Sequence, residues 1–292
     1  MRVLVTGANG FLGLNLRAVA PESWDVTWLN GRSVLDLGDT HAVLDYLKDK
    51  EFDTVIHLAA HVDIPASIRC PDLDLRDNGY ATLNLTRFVK CEHFIYLSTG
   101  AVYEGQVGLV DHDRALRPSL PYAIHKLLGE HYVRCAVERW RTARRATIVR
   151  FFGAYGPHEP SHKLYRRLVE SLGTGHQRTF HAYGDGMNLV DAMWAPDAAQ
   201  ALVALVEAPR LRDDYVWTVD LCRGEPMMVS DVIRIAGETM AGGDIETSYS
   251  GTASERHLFC GDPDLFRDVL DWHPTLSLAD GFKAYLHHLE RP

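Results

Sequence analysis

"RVLVTGANGFLGLNL", residues Arg2–Leu16, places three glycines three positions apart, between a short apolar run and a stretch with helical spacing. A strand, a glycine turn and a helix in this order are typical of a pyrophosphate-binding turn. Glycine lets the backbone turn tightly and leaves free N–H groups at the helix N-terminus. The spacing GxxGxxG is one residue longer than the common GxGxxG, but it directly follows the first strand. We therefore predict a dinucleotide-binding turn formed by Gly7, Gly10, Phe11, Leu12 and Gly13.

Strand-like and helix-like segments alternate through most of the chain. The strand patterns are Arg2–Thr6, Asp25–Leu29, Asp53–Leu58, His93–Ser98, Ala146–Phe151 and Tyr215–Leu221. The helical patterns include His41–Asp49, Tyr80–Lys90, Tyr122–Trp140 and Ala195–Ala208. Such alternation predicts βαβ units and an α/β fold, with a Rossmann-like doubly wound parallel sheet.

A Gly/Pro-rich connection, "GAYGPHEPSHK", interrupts this rhythm after Phe151. We place the dinucleotide-binding domain at residues 1–155 and a smaller C-terminal α+β substrate cap at residues 156–292. Residues 187–222 are expected to return to the first domain. From about Gly224 onward we expect loops and short helices.

The composition restricts the partners. The formal net charge is -9 and argues against nucleic acid, whose phosphates favour a basic surface. No apolar run is long enough to span a bilayer, and Met1 leads directly into a strand pattern without a charged segment and an apolar run, so a signal peptide is not expected. The five cysteines are scattered without a CxxC pair, which is typical of reduced thiols in a cytoplasmic protein.

The end of the second strand bears on which dinucleotide is bound. An Asp or Glu there would hold the ribose 2′-hydroxyl of NAD, but this chain has Asn30, Gly31 and Arg32. A neutral residue removes repulsion against a 2′-phosphate, and an arginine can pair with it. We therefore expect NADP, with NAD as the alternative if Arg32 is a solvated loop charge.

"YAIHK" places Tyr122 and Lys126 on one face of a helix. A lysine ammonium about 5 Å away stabilises a tyrosinate by roughly 3 kcal/mol at an effective dielectric of about 20, or about two pKa units. Such a tyrosine can exchange a proton with an alcohol or ketone. "LSTGAVYE" ends the fourth strand, where open α/β sheets bind ligands, so Ser98 or Thr99 could hydrogen-bond the same substrate oxygen. The alternative is an ordinary Tyr/Lys pair on a helix surface.

Taken together, these segments resemble the extended short-chain dehydrogenases/reductases, the NAD(P)-dependent nucleotide-sugar epimerases, dehydratases and reductases. The segments that carry the resemblance are "TGANGFLG", "LDLGD", "HLAA", "DNGYATLNL", "STGAVYE", "YAIHK", "FFGAYGP" and "DWHPTLSLADGF". The resemblance implies a catalytic triad of Thr99, Tyr122 and Lys126, the last two also contacting the cofactor. It further implies cofactor contacts from Asn30, Asp36, Leu37, Leu58, Ala59, Ala60 and Asn78, and a homodimer.

Departures from the family pattern reduce the number of reactions that are expected of this chain. Sugar 4,6-dehydratases carry Asp-Glu after the catalytic threonine, whereas this chain has Gly100 and Ala101, so a 4,6-dehydratase is not expected. GDP-fucose synthase resembles the chain near Arg32 and uses a cysteine and a histidine as acid/base groups. Its cysteine corresponds to Ala101, and its histidine to His162, which is therefore a candidate catalytic residue or a plain substrate contact.

The cap lacks an arginine that family members use to hold a nucleotide diphosphate, because Val190 stands there. Lys163, Arg166, Arg167 or Arg256 could replace it, or form a solvated face, and Ser98, Thr99 and Gly100 are expected to contact the substrate. The pairs His57/His61 and His158/His162 lack a third ligand, so no metal is expected.

These observations predict an enzyme that transfers hydride at a secondary alcohol or ketone of a sugar, nucleotide-linked by resemblance. An epimerase and a keto-reductase both remain open, as does a reductase of a non-nucleotide substrate. The alternative from another class is an NADP-binding sensor or scaffold without chemistry.

Overall fold

The computed structural model describes residues 1–208, 215–251 and 257–290. The strands are β1 (Arg2–Thr6), β2 (Asp25–Leu29), β3 (Glu51–His57), β4 (Lys90–Thr99), β5 (Val107–Leu109), β6 (Ala143–Phe151), β7 (Ala154–Tyr155), β8 (Thr179–Tyr183), β9 (Leu189–Val190), β10 (Met193–Trp194), β11 (Val216–Leu221), β12 (Met227–Met228), β13 (Glu246–Ser250) and β14 (Leu258–Cys260).

The α-helices are α1 (Phe11–Val19), α2 (Thr40–Leu47), α3 (Ile64–Arg69), α4 (Pro71–Asp74), α5 (Ala81–Phe88), α6 (Pro121–Glu138), α7 (Leu164–Leu168), α8 (Ala195–Glu207), α9 (Val229–Ala236), α10 (Asp264–Leu270) and α11 (Leu278–Glu290). Among the described residues, π-helical turns extend three of them, at Leu75–Tyr80, Val169–Thr174 and Gly237–Ala241, and a 3₁₀ turn follows β4 at Gly100–Tyr103.

The central sheet has six strands in the order β11-β6-β4-β3-β1-β2, and its neighbours pair in parallel. β11 pairs with β6 over Val216–Leu221, as expected for a segment that returns to the first domain. The fold class predicted from the sequence is confirmed: a Rossmann-like parallel sheet covered by helices. All carboxyl ends of the strands lie at one edge, so the segments after β1, β2, β3 and β4 meet there.

Helices cover both faces of the sheet. α1 and α8 bury Leu12, Leu16 and Leu202 against one face. α2, α5 and α6 bury Val43, Leu85 and Val133 against the other. Each strand is therefore apolar on both sides, which explains why the strand patterns of the sequence do not alternate.

A separate hydrophobic cluster lies in the C-terminal part, around Tyr155, Tyr165 and Phe282. β8 and β13 pair in parallel beside it. The expectation of short helices after Gly224 was wrong for α11, a 13-residue helix that buries Leu278, Phe282 and Tyr285 on one face. The domain boundary at residue 155 stays a prediction.

All five cysteines are free, and they range from the exposed Cys70 to the buried Cys222. Within the described part of the chain, no helix combines the length and the apolar character that a membrane span requires.

Candidate active site

In the glycine turn between β1 and α1, backbone segments approach one another so closely that side chains would not fit between them. Gly7 has φ 73°, and a Cβ there would lie 2.6 Å from the backbone N of Ala59. A Cβ on Gly13 would collide with the carbonyl oxygen of Gly7. α1 begins at Phe11, and Gly10 at its N-cap has no side chain with which to cap the helix. The first N–H groups of this nine-residue helix are therefore left for an anion, which fits the pyrophosphate of a dinucleotide.

A cavity of about 310 Å³ opens beside this turn. Its lining includes eight of the predicted cofactor residues: Gly7, Gly10, Arg32, Asp36, Leu37, Leu58, Ala59 and Ala60. Leu29, Leu35 and Ala81 give it apolar walls. This combination of a glycine turn, apolar walls and charged rim fits an adenosine with its phosphates.

Other predicted cofactor residues shape the cavity from outside it. Asn78 is buried and makes two hydrogen bonds to the backbone of His61. Its Oδ1 accepts a hydrogen bond from the His61 backbone N at 2.9 Å, and its Nδ2 donates one to the His61 carbonyl at 2.9 Å. Asn30 accepts a hydrogen bond from Arg17 at 2.7 Å, and its carbonyl accepts one from Asn9. Asn78 thus holds the loop after β3, and a direct cofactor contact from it stays a prediction.

Charged residues at the cavity rim form a cluster that the sequence analysis recognised only in part. Arg32 donates to Asp77 at 2.6 Å and lies 3.9 Å from Asp36. Arg76 bonds to Asp36 and lies 3.6 Å from Asp77. Arg76 and Asp77 belong to the π-helical turn after α4, far from Arg32 in the chain, and no local pattern connects them.

The three residues of the predicted triad come together at the end of β4. Thr99 is its last residue, and it lies beside Tyr122 in the first turn of α6, close enough for its hydroxyl to favour the ionised form of the phenol. Lys126 follows one turn later, is 2% exposed, and its Nζ lies 4.3 Å from the ring centroid of Tyr96. Glu104 anchors the start of α6, because it accepts hydrogen bonds from the backbone N of Ser119 at 2.6 Å and of Leu120 at 3.1 Å.

Burial shifts the pKa of Tyr122 in the direction opposite to the one expected from the sequence. It raises the pKa of Tyr122 to about 12, although the nearby Thr99 hydroxyl opposes this. The pKa of Lys126 is lowered to about 7, again by burial, against the opposing charges of Glu130 and Asp74. The sequence predicted a lowered tyrosine pKa, which was wrong because desolvation of the phenolate, joined by the nearby charge of Asp74, outweighs the opposing effect of Thr99. Without a cofactor, Tyr122 therefore holds its proton across neutral pH.

Ser98 does not face the substrate side, and its prediction as a substrate contact was wrong. It is 3% exposed and donates to Glu130 Oε1 at 2.6 Å. Glu130 also receives two bonds from Arg150, at 3.0 Å and 2.7 Å. Successive side chains of a strand point to opposite faces, so Thr99 and Ser98 cannot both reach one ligand.

A second cavity of about 270 Å³ has Thr99 in its wall and is a candidate substrate site. Its walls are Thr99, Gly100, Ala101, Phe151, Phe152, Asn188, Leu189, Val190, Asp191, Val229, His257 and Phe259. Asn188, Asp191 and His257 were missed by the sequence analysis, because they come from segments without a recognisable motif. Of these wall residues, none is a lysine or arginine.

The predicted cap residues lie elsewhere. His162 is exposed in the turn before α7 and is not among the residues that line the cavity at Thr99. Arg166 donates to Glu170 at 2.6 Å, and Arg167 donates to the His181 carbonyl at 2.6 Å. Lys163 is half-buried at the N-cap of α7, and Arg256 lies outside the described residues. Substrate roles for these residues, and a catalytic role for His162, stay predictions.

The histidine at the end of β3 has a packing role. The ring of His57 is buried between Thr6 Oγ1 at 2.7 Å and Thr82 Oγ1 at 3.1 Å. Burial, helped by nearby Lys126, lowers its pKa to about 3, so it stays neutral. Among the residues that the structure covers, no three His, Cys, Asp or Glu side chains gather as a metal site.

The fold and site together define a dinucleotide-binding protein with a Thr/Tyr/Lys centre. Residues 3–217 match the model of the NAD dependent epimerase/dehydratase family, and the chain belongs to this family. It is 26% identical to an uncharacterized UDP-glucose epimerase of Bacillus subtilis, over 99% of both chains. It is also 26% identical to the GDP-6-deoxy-D-mannose reductase of Pseudomonas aeruginosa, over 99% of this chain and 97% of that one.

A solved structure shares the fold over the whole length. The UDP-glucuronic acid 4-epimerase of Bacillus cereus, in complex with UDP-glucuronic acid and NAD, is 24% identical. It superposes with a TM-score of 0.85 over 100% of this chain and 99% of that one.

Proposed function

We propose that this protein is an NADP-dependent enzyme that transfers hydride at a secondary alcohol or ketone of a nucleotide-linked sugar. The observation that carries the proposal is the arrangement of Thr99, at the end of β4 and in the wall of the second cavity, with the buried Tyr122 and Lys126 one helical turn apart on α6. Family membership and the epimerase and reductase relatives support the reaction class. The intact triad argues against a sensor or scaffold.

The residues divide the work. When bound, the nicotinamide supplies or accepts the hydride. Tyr122, with its pKa raised to about 12 by burial, holds a proton at its hydroxyl and donates it to a ketone oxygen. Thr99 orients that oxygen through its own hydroxyl, and Lys126 supplies positive charge beside Tyr122 when protonated. Gly100 and Ala101 offer no acid/base pair for dehydration.

The choice of NADP rests on charge. Arg32 lines the glycine-turn cavity and Arg76 bonds to Asp36 at its rim, so two cations lie near the segment after β2, where a 2′-phosphate is expected. NAD is the alternative, in which Asp36 and Asp77 would receive the ribose hydroxyls.

The function is tested with Tyr122→Phe, assayed for NADPH oxidation against UDP- and GDP-linked 4-keto sugars. Loss of the proton donor is expected to lower kcat by about 100-fold or more while NADPH binding persists. Tyr132→Phe on the same helix is the matched control, because its ring stacks on Trp140 away from Thr99. A Tyr122→Phe protein with wild-type turnover would refute the proposal.

Stoichiometry separates the two reactions. NADPH that disappears one-for-one with product identifies a reductase. Conversion of a nucleotide sugar without net change in cofactor identifies an epimerase. A protein that turns over a free keto sugar as well as the nucleotide-linked one would point to the non-nucleotide alternative, which the lack of Lys and Arg in the described wall of the second cavity favours.

We further propose a homodimer in the cytoplasm. α3 and α4 pack against α6, and this region exposes Ile68, Leu73, Tyr80 and Ile124. An apolar surface of this kind marks an interface. Light scattering should give twice the chain mass, and Leu73→Glu should shift it toward the monomer. Free cysteines agree with a reducing compartment.

A further inference from the structure

Four charged side chains interlock at the rim of the glycine-turn cavity, where the segment after β2 meets the π-helical turn Leu75–Tyr80. Arg32 donates to Asp77 at 2.6 Å, and Arg76 bonds to Asp36 while lying 3.6 Å from Asp77. Arg32, Asp36 and Asp77 line the cavity itself. Two positive and two negative charges are thus held close together where a cofactor ribose would lie.

Asp77 is the carboxylate of this cluster whose negative charge would oppose a bound 2′-phosphate. Its side chain is 23% exposed, and its carboxylate accepts a hydrogen bond from the guanidinium of Arg32, the predicted phosphate ligand. A phosphate that pairs with Arg32 has to share its guanidinium with this carboxylate and remain near its negative charge. A 2′-hydroxyl carries no such conflict, because it can donate a hydrogen bond to a carboxylate.

Arg76 is placed to serve as a second cation. Asp36 holds its guanidinium, and Gly38 makes room for it, because a Cβ on Gly38 would lie 3.0 Å from Arg76 Nε. Arg76 is not itself among the residues that line the cavity, but it bonds to Asp36, which is, and its 37% exposed side chain has room to turn toward a ligand there.

We propose that Arg76 binds the 2′-phosphate together with Arg32, and that Asp77 limits the preference for NADP by competing for Arg32. This inference rests on the proposed use of NADP. It assigns cofactor selectivity to the π-helical turn Leu75–Tyr80 as well as to the segment after β2.

Binding, not turnover, tests the inference. Dissociation constants of NADPH and NADH are measured by titration of the nicotinamide fluorescence at low ionic strength, and those of 2′,5′-ADP and 5′-AMP by calorimetry. Asp77→Asn is expected to tighten NADPH and 2′,5′-ADP by about fivefold to tenfold, with NADH and 5′-AMP changed less than about twofold. Arg76→Gln is expected to weaken NADPH and 2′,5′-ADP by about tenfold and to spare NADH.

Two variants serve as controls. Asp72→Asn removes the same charge from exposed α4 and should leave all four constants unchanged. Asp77→Glu keeps the charge and should retain the wild-type ratio of NADH to NADPH constants, so it reports on the local structure if Asp77→Asn lowers stability. The gain in Asp77→Asn should shrink at high salt, because the cluster is partly exposed.

The outcomes are separable from those of the proposed function. If Asp77→Asn leaves the NADH/NADPH ratio within twofold of wild type, the role of Asp77 is overturned. If Arg76→Gln leaves 2′,5′-ADP binding unchanged, the role of Arg76 is overturned. If the wild-type protein binds NADH more tightly than NADPH, only the proposed NADP preference is contradicted. The inference still requires that Asp77→Asn shift the binding preference toward NADPH.

Discussion

Glu130→Gln should move the pH dependence of the enzyme through Lys126. The two side chains are one helical turn apart on α6, and Glu130 opposes the burial that lowers the pKa of Lys126 to about 7. At about 6 Å and an effective dielectric of about 20, losing the carboxylate charge costs the ammonium about 3 kcal/mol, or about two pKa units. The protonated fraction of Lys126 at pH 7 would fall from about one half to about 1%.

The direction of the pH dependence follows from the protonation state of Lys126 that supports the reaction, which is the charged ammonium. Charge on Lys126 is present below its pKa and lost as pH rises through it. The kcat/KM for NADPH, which reports the free enzyme, should therefore decline through about pH 7 in wild type and through about pH 5 in Glu130→Gln. At pH 7 the variant should be slower by about 50-fold and should recover toward pH 5.

Two further variants separate charge from folding. Glu130→Gln leaves Arg150, whose side chain is 7% exposed, without its carboxylate partner, at a cost of about 3 kcal/mol in unfolding free energy. Glu130→Gln/Arg150→Met should recover much of that stability but keep the displaced pH profile. Glu138→Gln, at the exposed end of α6, should change neither. A Glu130→Gln profile that declines at the wild-type pH would refute the electrostatic coupling to Lys126.

Three other substitutions test the structure. Ser98→Ala should lower the unfolding free energy by about 1–3 kcal/mol in denaturant titrations, since it removes a buried hydrogen bond to Glu130, while the substrate KM stays unchanged. Gly7→Ala should abolish cofactor binding or folding, seen by calorimetry and circular dichroism, because its Cβ would collide with the backbone of Ala59. Burial raises the pKa of Glu159 to about 7, so the folded state retains a proton that the unfolded state has lost. Wild type should therefore lose up to about 3 kcal/mol relative to Glu159→Gln between pH 4.5 and pH 7, and parallel melting temperatures across that range would contradict this.

The sheet was predictable because its strands are short, apolar runs between helices. β1 and β2 begin and end at the predicted residues, whereas β4 starts earlier than predicted, at Lys90, because its first residues are polar and carry little strand signal. The region between β3 and α5 was not predicted as helical. α3, α4 and the π-helical turn Leu75–Tyr80 are short and bracketed by proline, so their periodicity is weak.

The chain alone predicted the glycine turn, the Tyr122/Lys126 pair and the parallel sheet. The turn and the pair depend on residues within a few positions of one another, where backbone geometry and helical spacing settle the outcome, and the sheet follows from the alternation of strand and helix patterns. Only the tertiary structure decided that Arg32 meets Asp77, 45 positions away, and that Ser98 turns inward to Glu130. Such contacts depend on strand register and on how far a group is removed from water, and both arise only when distant segments pack together.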